Sequence, residues 1–453
     1  MGFTKVPEPP TVTFMAALRF WLQLGFISFG GPAGQIAIMH RELVEKRRWI
    51  SEKRFLHALN FCMVLPGPEA QQLATYLGWL MHRTWGGVVA GVLFVLPSLL
   101  LLIVLSWVYM AFGQQPIVAG IFYGIKPAVA AIVLHALHRI ASKSLGHPRL
   151  SPVPWALAAM SFVGIWWFKL PFPLVVLTAM LIGVVVSRLA PGALGKASGH
   201  AAKGQGAHQA ALVDDDTPTP PHAMFRPSRL ALVLLAGAAL WLLPMALLFL
   251  NHGWQGTLTQ IGWFFTKAAL LTFGGAYAVL PYVNQAAVEH YQWLTTAQMM
   301  DGLALGETTP GPLIIIVAFV GFVAGWGKEV LGPGMPFVGA ALAACVATWF
   351  TFLPSFIFIL AGGPYVESTR GNLKLTAPLA AVTAAVVGVI ANLALFFLAA
   401  VAYPSGSNGP LDGVALAIAL CAALALWRLK WGVIRVIAVS AGVGLALRMA
   451  GMV

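Results

Sequence analysis

The chain has 453 residues, 59% of them apolar and only 9% charged, with a mean hydropathy of +0.84 and a formal net charge of +13. No soluble core needs that much apolar surface, and the positive balance is what cytoplasmic loops obeying the positive-inside bias produce, so nucleic acid is not called for. Cys62, Cys345 and Cys421 lie in apolar stretches without metal-ligand spacing, which argues against a disulfide framework and against a zinc site.

Residues 1–13 form a polar, proline-rich N-terminal tail, and no short apolar core with a small-residue cleavage site follows, so no cleavable signal peptide is expected. Apolar stretches of about 20 residues, the length a helix needs to cross hydrocarbon, then recur to the end of the chain. Examples are Val88–Phe112, Ile117–Leu137, Leu230–Leu250, Phe337–Leu360 and Pro378–Val401. The fold class expected is an all-α polytopic membrane protein.

Phe29-Gly30-Gly31 returns as Phe273-Gly274-Gly275, Trp49 as Trp293, and Pro66-Gly67-Pro68 as Pro310-Gly311-Pro312, all at an offset of 244 residues. Between Phe20 and Pro68 that offset gives 11 identities in 49 positions. Further on the offset becomes 257, where Leu96-Pro97-Ser98 matches Leu353-Pro354-Ser355 and Lys126 aligns with Thr383. An ordered set of this kind marks internal duplication. The expected organisation is a first membrane repeat over 14–189, a flexible cytoplasmic linker over 190–229, an unpaired membrane helix over 230–250 and a second repeat over 259–453.

Loop charge sets the expected orientation. His40–Arg54 carries six basic residues, Arg41, Lys46, Arg47, Arg48, Lys53 and Arg54, whereas the matching Asn284–Gln298 carries no lysine or arginine. Matching loops of such different charge belong on opposite sides of a bilayer, so the repeats are expected to be inverted, with the unpaired crossing turning the second copy over. Arg139, Lys143, Arg149, the linker and the Arg370–Lys374 turn read as further cytoplasmic basic sites. The linker, with its glycines, histidines, Asp214-Asp215-Asp216 and a Thr-Pro run, reads as a solvated tether.

Two glycine-proline sites per repeat should interrupt helices, because proline lacks the N–H and clashes with the preceding turn. Phe55–His82 is expected to enter the membrane and return without crossing, a single long crossing being the alternative. Irregular backbone at membrane depth survives only inside protein or beside a water-filled cavity. Each break also creates a helix N-terminus that attracts anions. The candidate binding positions are therefore Ser28, Phe29, Gly30, Gly31, Pro66, Gly67, Pro68, Thr272, Phe273, Gly274, Gly275, Thr308, Thr309, Pro310 and Gly311, the four hydroxyls adding donors. Close helix packing at the glycine pairs is the structural alternative. Lys126, inside Ile117–Leu137, is a candidate cation on the anion path, while Arg19 and Lys267 read as side chains reaching toward the membrane surface.

Glu69 and Glu307 each flank a break inside an apolar stretch, which makes them candidates for proton coupling. First-turn dipole stabilisation and a hydrogen bond to freed backbone are their structural readings. Asp301 is a weaker candidate, placed at the membrane interface. No His-Glu-x-x-His, Gly-x-Ser-x-Gly or P-loop pattern appears, so neither an enzyme nor a cofactor is expected.

The assembled pattern resembles the chromate ion transporter family in its long-chain, two-domain form. The residues that carry the likeness are Leu24-Gly25-Phe26-Ile27-Ser28-Phe29-Gly30-Gly31-Pro32, Arg47-Arg48-Trp49-Ile50 and Leu65-Pro66-Gly67-Pro68-Glu69-Ala70-Gln71-Gln72-Leu73-Ala74. In the second half they are Leu271-Thr272-Phe273-Gly274-Gly275 and Gly306-Glu307-Thr308-Thr309-Pro310-Gly311-Pro312. The resemblance implies export of chromate from the cytoplasm across a bacterial inner membrane, with sulfate as an analogue or competitor and chromate resistance as the outcome. An importer or exchanger of sulfate or another oxyanion is the alternative. Proton coupling, carrier against channel, and a homodimer stay open at this point.

Overall fold

A computed structural model describes residues 12–29, 31–147, 151–190, 211, 213–214, 220–273, 275–369, 376–404, 406 and 409–452. Gly30, Gly274, Arg149, the 370–374 turn, Asp215-Asp216 and most of the linker lie outside the described residues. The described chain is helical throughout, in the order α1 (Phe14–Ile27), α2 (Gly31–His40), α3 (Glu52–Val64), α4 (Glu69–Phe112), α5 (Pro116–Ser144), α6 (Pro152–Trp166), α7 (Phe172–Leu189) and α8 (Pro227–His252). It continues with α9 (Thr257–Leu270), α10 (Ala276–Asn284), α11 (Thr296–Thr308), α12 (Ile316–Gly327), α13 (Pro336–Thr369), α14 (Thr376–Ala402), α15 (Gly413–Trp427) and α16 (Val433–Met449). Each half also carries a π-helical turn, Arg41–Lys46 and Gln285–His290, at positions that match at the 244-residue offset. Among the described residues, six helices are long and apolar enough to cross a membrane: α4, α5, α7, α8, α13 and α14.

Local chemistry explains where the helices begin. Thr13 caps α1 by accepting from the Ala16 N–H, and Ser51 caps α3 by accepting from Arg54 N–H. Thr295 and Gln298 form a reciprocal capping box at α11. Proline opens α5, α6, α7 and α8, where its missing N–H costs nothing.

The α4 range hides a reversal. His82 and Arg83 leave helical geometry, Arg83 at φ 58° and ψ −160°. Gly78 packs on Gly86 and Gly91 on Thr75 across the turn, so residues 69–81 and 84–112 are antiparallel limbs. The first limb has about 13 residues, roughly 20 Å of helix, short of the ~30 Å hydrocarbon core. It also runs back along α3: Phe61 meets Tyr76, and Arg54 at the start of α3 shares Glu367 with Tyr76 near the end of the limb. The chain therefore reverses at residues 82–83, as a segment that returns to its starting side would. α11 and α12 repeat it, since Gly302 packs on Phe319 and Gly306 on Ile316.

The two halves interlock. α5 packs against α15 and α16, while its counterpart α14 packs against α6 and α7. α1 lies on α4, α9 lies on α13, and α4 meets α13. α8 has no counterpart among the described elements of the first half. Gly124 and Gly444 pack backbone on backbone, and Gly388 lies on the Ala158 carbonyl, so glycines set the closeness of these crossings.

The linker departs from the expected solvated tether where it is described. Val213 donates to the Trp49 carbonyl at 3.0 Å and accepts from Ser51 N–H at 3.0 Å, a short β-bridge against the basic loop. The His222 Nε2 meets the Trp79 carbonyl at 3.0 Å, and Ala223 is fully buried. The loop left unpaired backbone groups beside Trp49, and the linker supplies their partners. Within that loop Glu42 accepts from Lys46 at 2.7 Å, a bond that holds the Glu42 carboxyl below its ordinary range.

Candidate functional site

The tips of the two hairpins meet across the two halves. Gly67 N–H donates to the Thr272 carbonyl at 2.7 Å, and Gly311 N–H donates to the Ser28 carbonyl at 2.7 Å. These bonds are equivalent at the 244-residue offset, so the Pro-Gly-Pro break of each half docks on the Phe-Gly-Gly break of the other. The structure thus brings Ser28, Phe29, Gly31, Pro66, Gly67, Pro68, Thr272, Phe273, Gly275, Thr309, Pro310 and Gly311 into one neighbourhood.

Side chains outside the expected set finish the neighbourhood. Gln72 Nε2 donates to the Pro66 carbonyl at 2.7 Å and lies 3.4 Å from Ser355 Oγ. The Ser98 hydroxyl donates to the Pro310 carbonyl. Gln35 Nε2 donates to the Gly311 carbonyl and, at 3.4 Å, to the Ser28 carbonyl. The carbonyls of Ser28, Thr272, Pro66, Pro310 and Gly311 therefore all hold donors, which removes the groups that would repel an anion. The sequence signalled Ser98 and Ser355 through their repeated Leu-Pro-Ser, and Gln72 through the Pro-Gly-Pro-Glu-Ala-Gln-Gln run. Gln35 had no such mark, because its partner lies 276 residues away.

What the breaks leave open is N–H. The helices that start at Glu69 and Ala276, and the 3₁₀ turn at Leu313 that leads into α12, have no side-chain cap. Their first amides and dipoles favour negative charge. The four hydroxyls are engaged by their own helices instead. Ser28 donates to the Leu24 carbonyl at 2.6 Å and Thr272 to Ala268 at 2.6 Å. Thr309 donates to Gly306 at 3.0 Å, and Thr308 reaches Leu305 at 3.0 Å and Ala304 at 3.1 Å. A hydroxyl has one proton, so donation to an anion here falls to backbone amides.

Both acids flank this neighbourhood. Glu69 sits at the first position of α4, and its Oε1 lies 4.0 Å from where a Cβ of Gly275 would be. Glu307 accepts a hydrogen bond from the Tyr277 hydroxyl, which ties α11 to α10 beside the second break. Lys126 stands elsewhere. Its Nζ is 3.7 Å from Asp301 Oδ2, and Asp301 lies seven residues before Thr308 on α11, about 10 Å along the helix. Asp301 is buried within the protein and accepts from the Tyr109 hydroxyl at 2.8 Å. Its neutralising partner is far away in sequence, which is why burial was not legible. Lys267 lies over the Trp263 ring at 5.7 Å. Among the described residues, no group of three or more histidine, cysteine or acidic side chains is placed to hold a metal.

Interlocked halves and, among the described residues, six long apolar helices define a multi-pass helical membrane protein. Comparison with known proteins makes the assignment specific. The chromate transporter family model matches residues 15–184 and again 259–445, one match per half, and the chain belongs to that family. It is 34% identical over 395 residues to a chromate transport protein of Pseudomonas aeruginosa, covering 85% of this chain and 82% of that one. It is 30% identical over 404 residues to a chromate transport protein of Cupriavidus metallidurans, with 85% and 83% covered. A probable chromate transport protein of Synechococcus elongatus is 29% identical over 386 residues, 84% of each chain. No solved structure matches.

Proposed function

We propose that this chain exports chromate from the cytoplasm across the bacterial inner membrane, and that it thereby confers chromate resistance. The observation that carries the reading is the paired docking of breaks, Gly67 on Thr272 and Gly311 on Ser28, which gathers uncapped helix starts from both halves. A tetrahedral dianion suits such a site because many converging amides share its charge without a fixed counter-ion. An inside-negative potential drives two negative charges outward by about 4.6 kcal/mol per 100 mV, so export needs no coupled ion. In this reading the halves are inverted, the basic loop around Arg47 faces the cytoplasm and the loop around Trp293 faces outward. Cysteines placed at Ser51 and Thr295 should then react from opposite faces; labelling of both from one face would end the inverted arrangement.

Glu69 and Glu307 are the proposed proton-coupling residues, because a carboxylate beside the anion repels it until a proton is taken up. The test is uptake of labelled chromate into inside-out vesicles, with sulfate as competitor. Saturable chromate uptake that grows with membrane potential is expected. Sulfate flux with neither movement nor competition by chromate would make the chain a carrier of another oxyanion. In the same assay Glu69→Gln should flatten the pH dependence of uptake, and an unchanged profile removes Glu69 from coupling.

A further inference from the structure

Among the described residues, two buried ionic clasps stand at related places in the two halves. In the first, Arg54 on α3 meets Glu367 on α13 at 2.5 Å, with side chains 6% and 1% exposed. Tyr76 donates to the other Glu367 oxygen at 2.5 Å, and Arg54 Nε also donates to the Asp214 carbonyl. In the second, Asp301 on α11 meets Lys126 on α5 and Tyr109 on the second limb of α4. Asp301 matches His57, one turn past Arg54, and Tyr109 matches Val366, next to Glu367. Each clasp therefore holds a re-entrant hairpin to the long helix of the opposite half.

The two differ in kind. The first is short, dry and fully engaged. In the second Lys126 Nζ stands 3.7 Å from the carboxylate, beyond hydrogen-bond length, and its side chain is 34% exposed while Asp301 is 2% exposed. Asp301 Oδ1 has no hydrogen-bond partner among the described residues. A part-exposed cation, loosely held by a carboxylate that keeps Tyr109 as a donor when the cation leaves, is a pair built to be exchanged.

We propose that Lys126 is a second station for the oxyanion and that Asp301 is its built-in competitor, a tethered anion that occupies Lys126 whenever cargo does not. The inference rests on the proposed function. It places the station about 10 Å from the breaks along α11, toward the loop that faces outward if the halves are inverted, so exported cargo meets it after the breaks. A lone ammonium would hold a dianion too firmly for turnover, since conduction needs a site weak enough to leave. Return of Asp301 to Lys126 expels the cargo and resets the station.

The experiment measures KM and kcat for labelled chromate in inside-out vesicles for Asp301→Asn, Lys126→Met, the double variant and Tyr109→Phe. Removing the competitor should lower KM about tenfold and lower kcat with it, because release slows. Removing the cation should raise KM about tenfold. The double variant should bind no more tightly than Lys126→Met, which separates competition for Lys126 from a general loss of negative charge. Tyr109→Phe strengthens the hold of Asp301 on Lys126 and should raise KM. A structural clasp would not tighten binding when broken. An unchanged or higher KM in Asp301→Asn, or an unchanged KM in Lys126→Met, overturns the proposal. Should Asp301→Asn not reach the membrane, Lys126→Met and Tyr109→Phe decide by the same signs. Absence of chromate flux in the unaltered protein would instead overturn the proposed function.

Discussion

Gly67 and Gly311 show how single residues set the site. They stand at φ 127° and 104°, a region that L side chains rarely adopt. A Cβ at Gly67 would run into Ser355 Oγ, and one at Gly311 would run into Ser98 Oγ. Alanine at either position therefore meets strain of about 1–3 kcal/mol together with a collision against the serine that completes the break. Gly67→Ala and Gly311→Ala should each reduce chromate flux about tenfold or more at comparable membrane abundance. Normal flux in either variant would mean that the docked tips do not carry the cargo. The glycines and prolines of these breaks were legible in sequence because they recur at one offset. The Thr and Ser hydroxyls were read as anion donors, and the structure instead turns each toward a carbonyl in its own helix, an i−4 or i−3 bond that sequence spacing always permits and never announces.

At the scale of elements, the hairpin of α3 with the first limb of α4 is the unit that carries a break to its place. A break at its tip was readable from the proline pair, and each of its limbs is too short to cross hydrocarbon alone. Its anchoring was not, since Arg54 and Glu367 are separated by 313 residues. Glu367→Gln removes the buried carboxylate shared by Arg54 and Tyr76 and should destabilise the protein by about 3–5 kcal/mol, seen as a lower midpoint of thermal unfolding in detergent. Replacing both partners with methionine should recover most of that loss, because the desolvation cost of the pair disappears with the charges. A midpoint unmoved by Glu367→Gln would show that the clasp does not hold the hairpin. The linker belongs to this scale too. Its polar composition reads as a tether, yet Val213 and Ala223 are buried against the first half, since a short apolar patch needs only a few well-placed partners.

For the whole molecule, duplication was the most legible property. It follows from motif order, and the corresponding helix sequence and family matches in both halves agree with it. The interlock was illegible, because α5 against α15 and α16 is a pairing of small-residue surfaces with no sequence mark beyond scattered glycines and alanines. That interlock lets each half complete the other's break, and the proposed main site for cargo lies where both halves contribute. The most direct test is a crystal of the protein grown with chromate and measured at the chromium absorption edge. The account predicts that the strongest anomalous peak lies within hydrogen-bond reach of backbone amides from both halves, at the starts of the helices following residues 68 and 275 and of the turn following residue 312. No peak at the breaks, or a strongest peak confined to one half, in protein that transports chromate would contradict it.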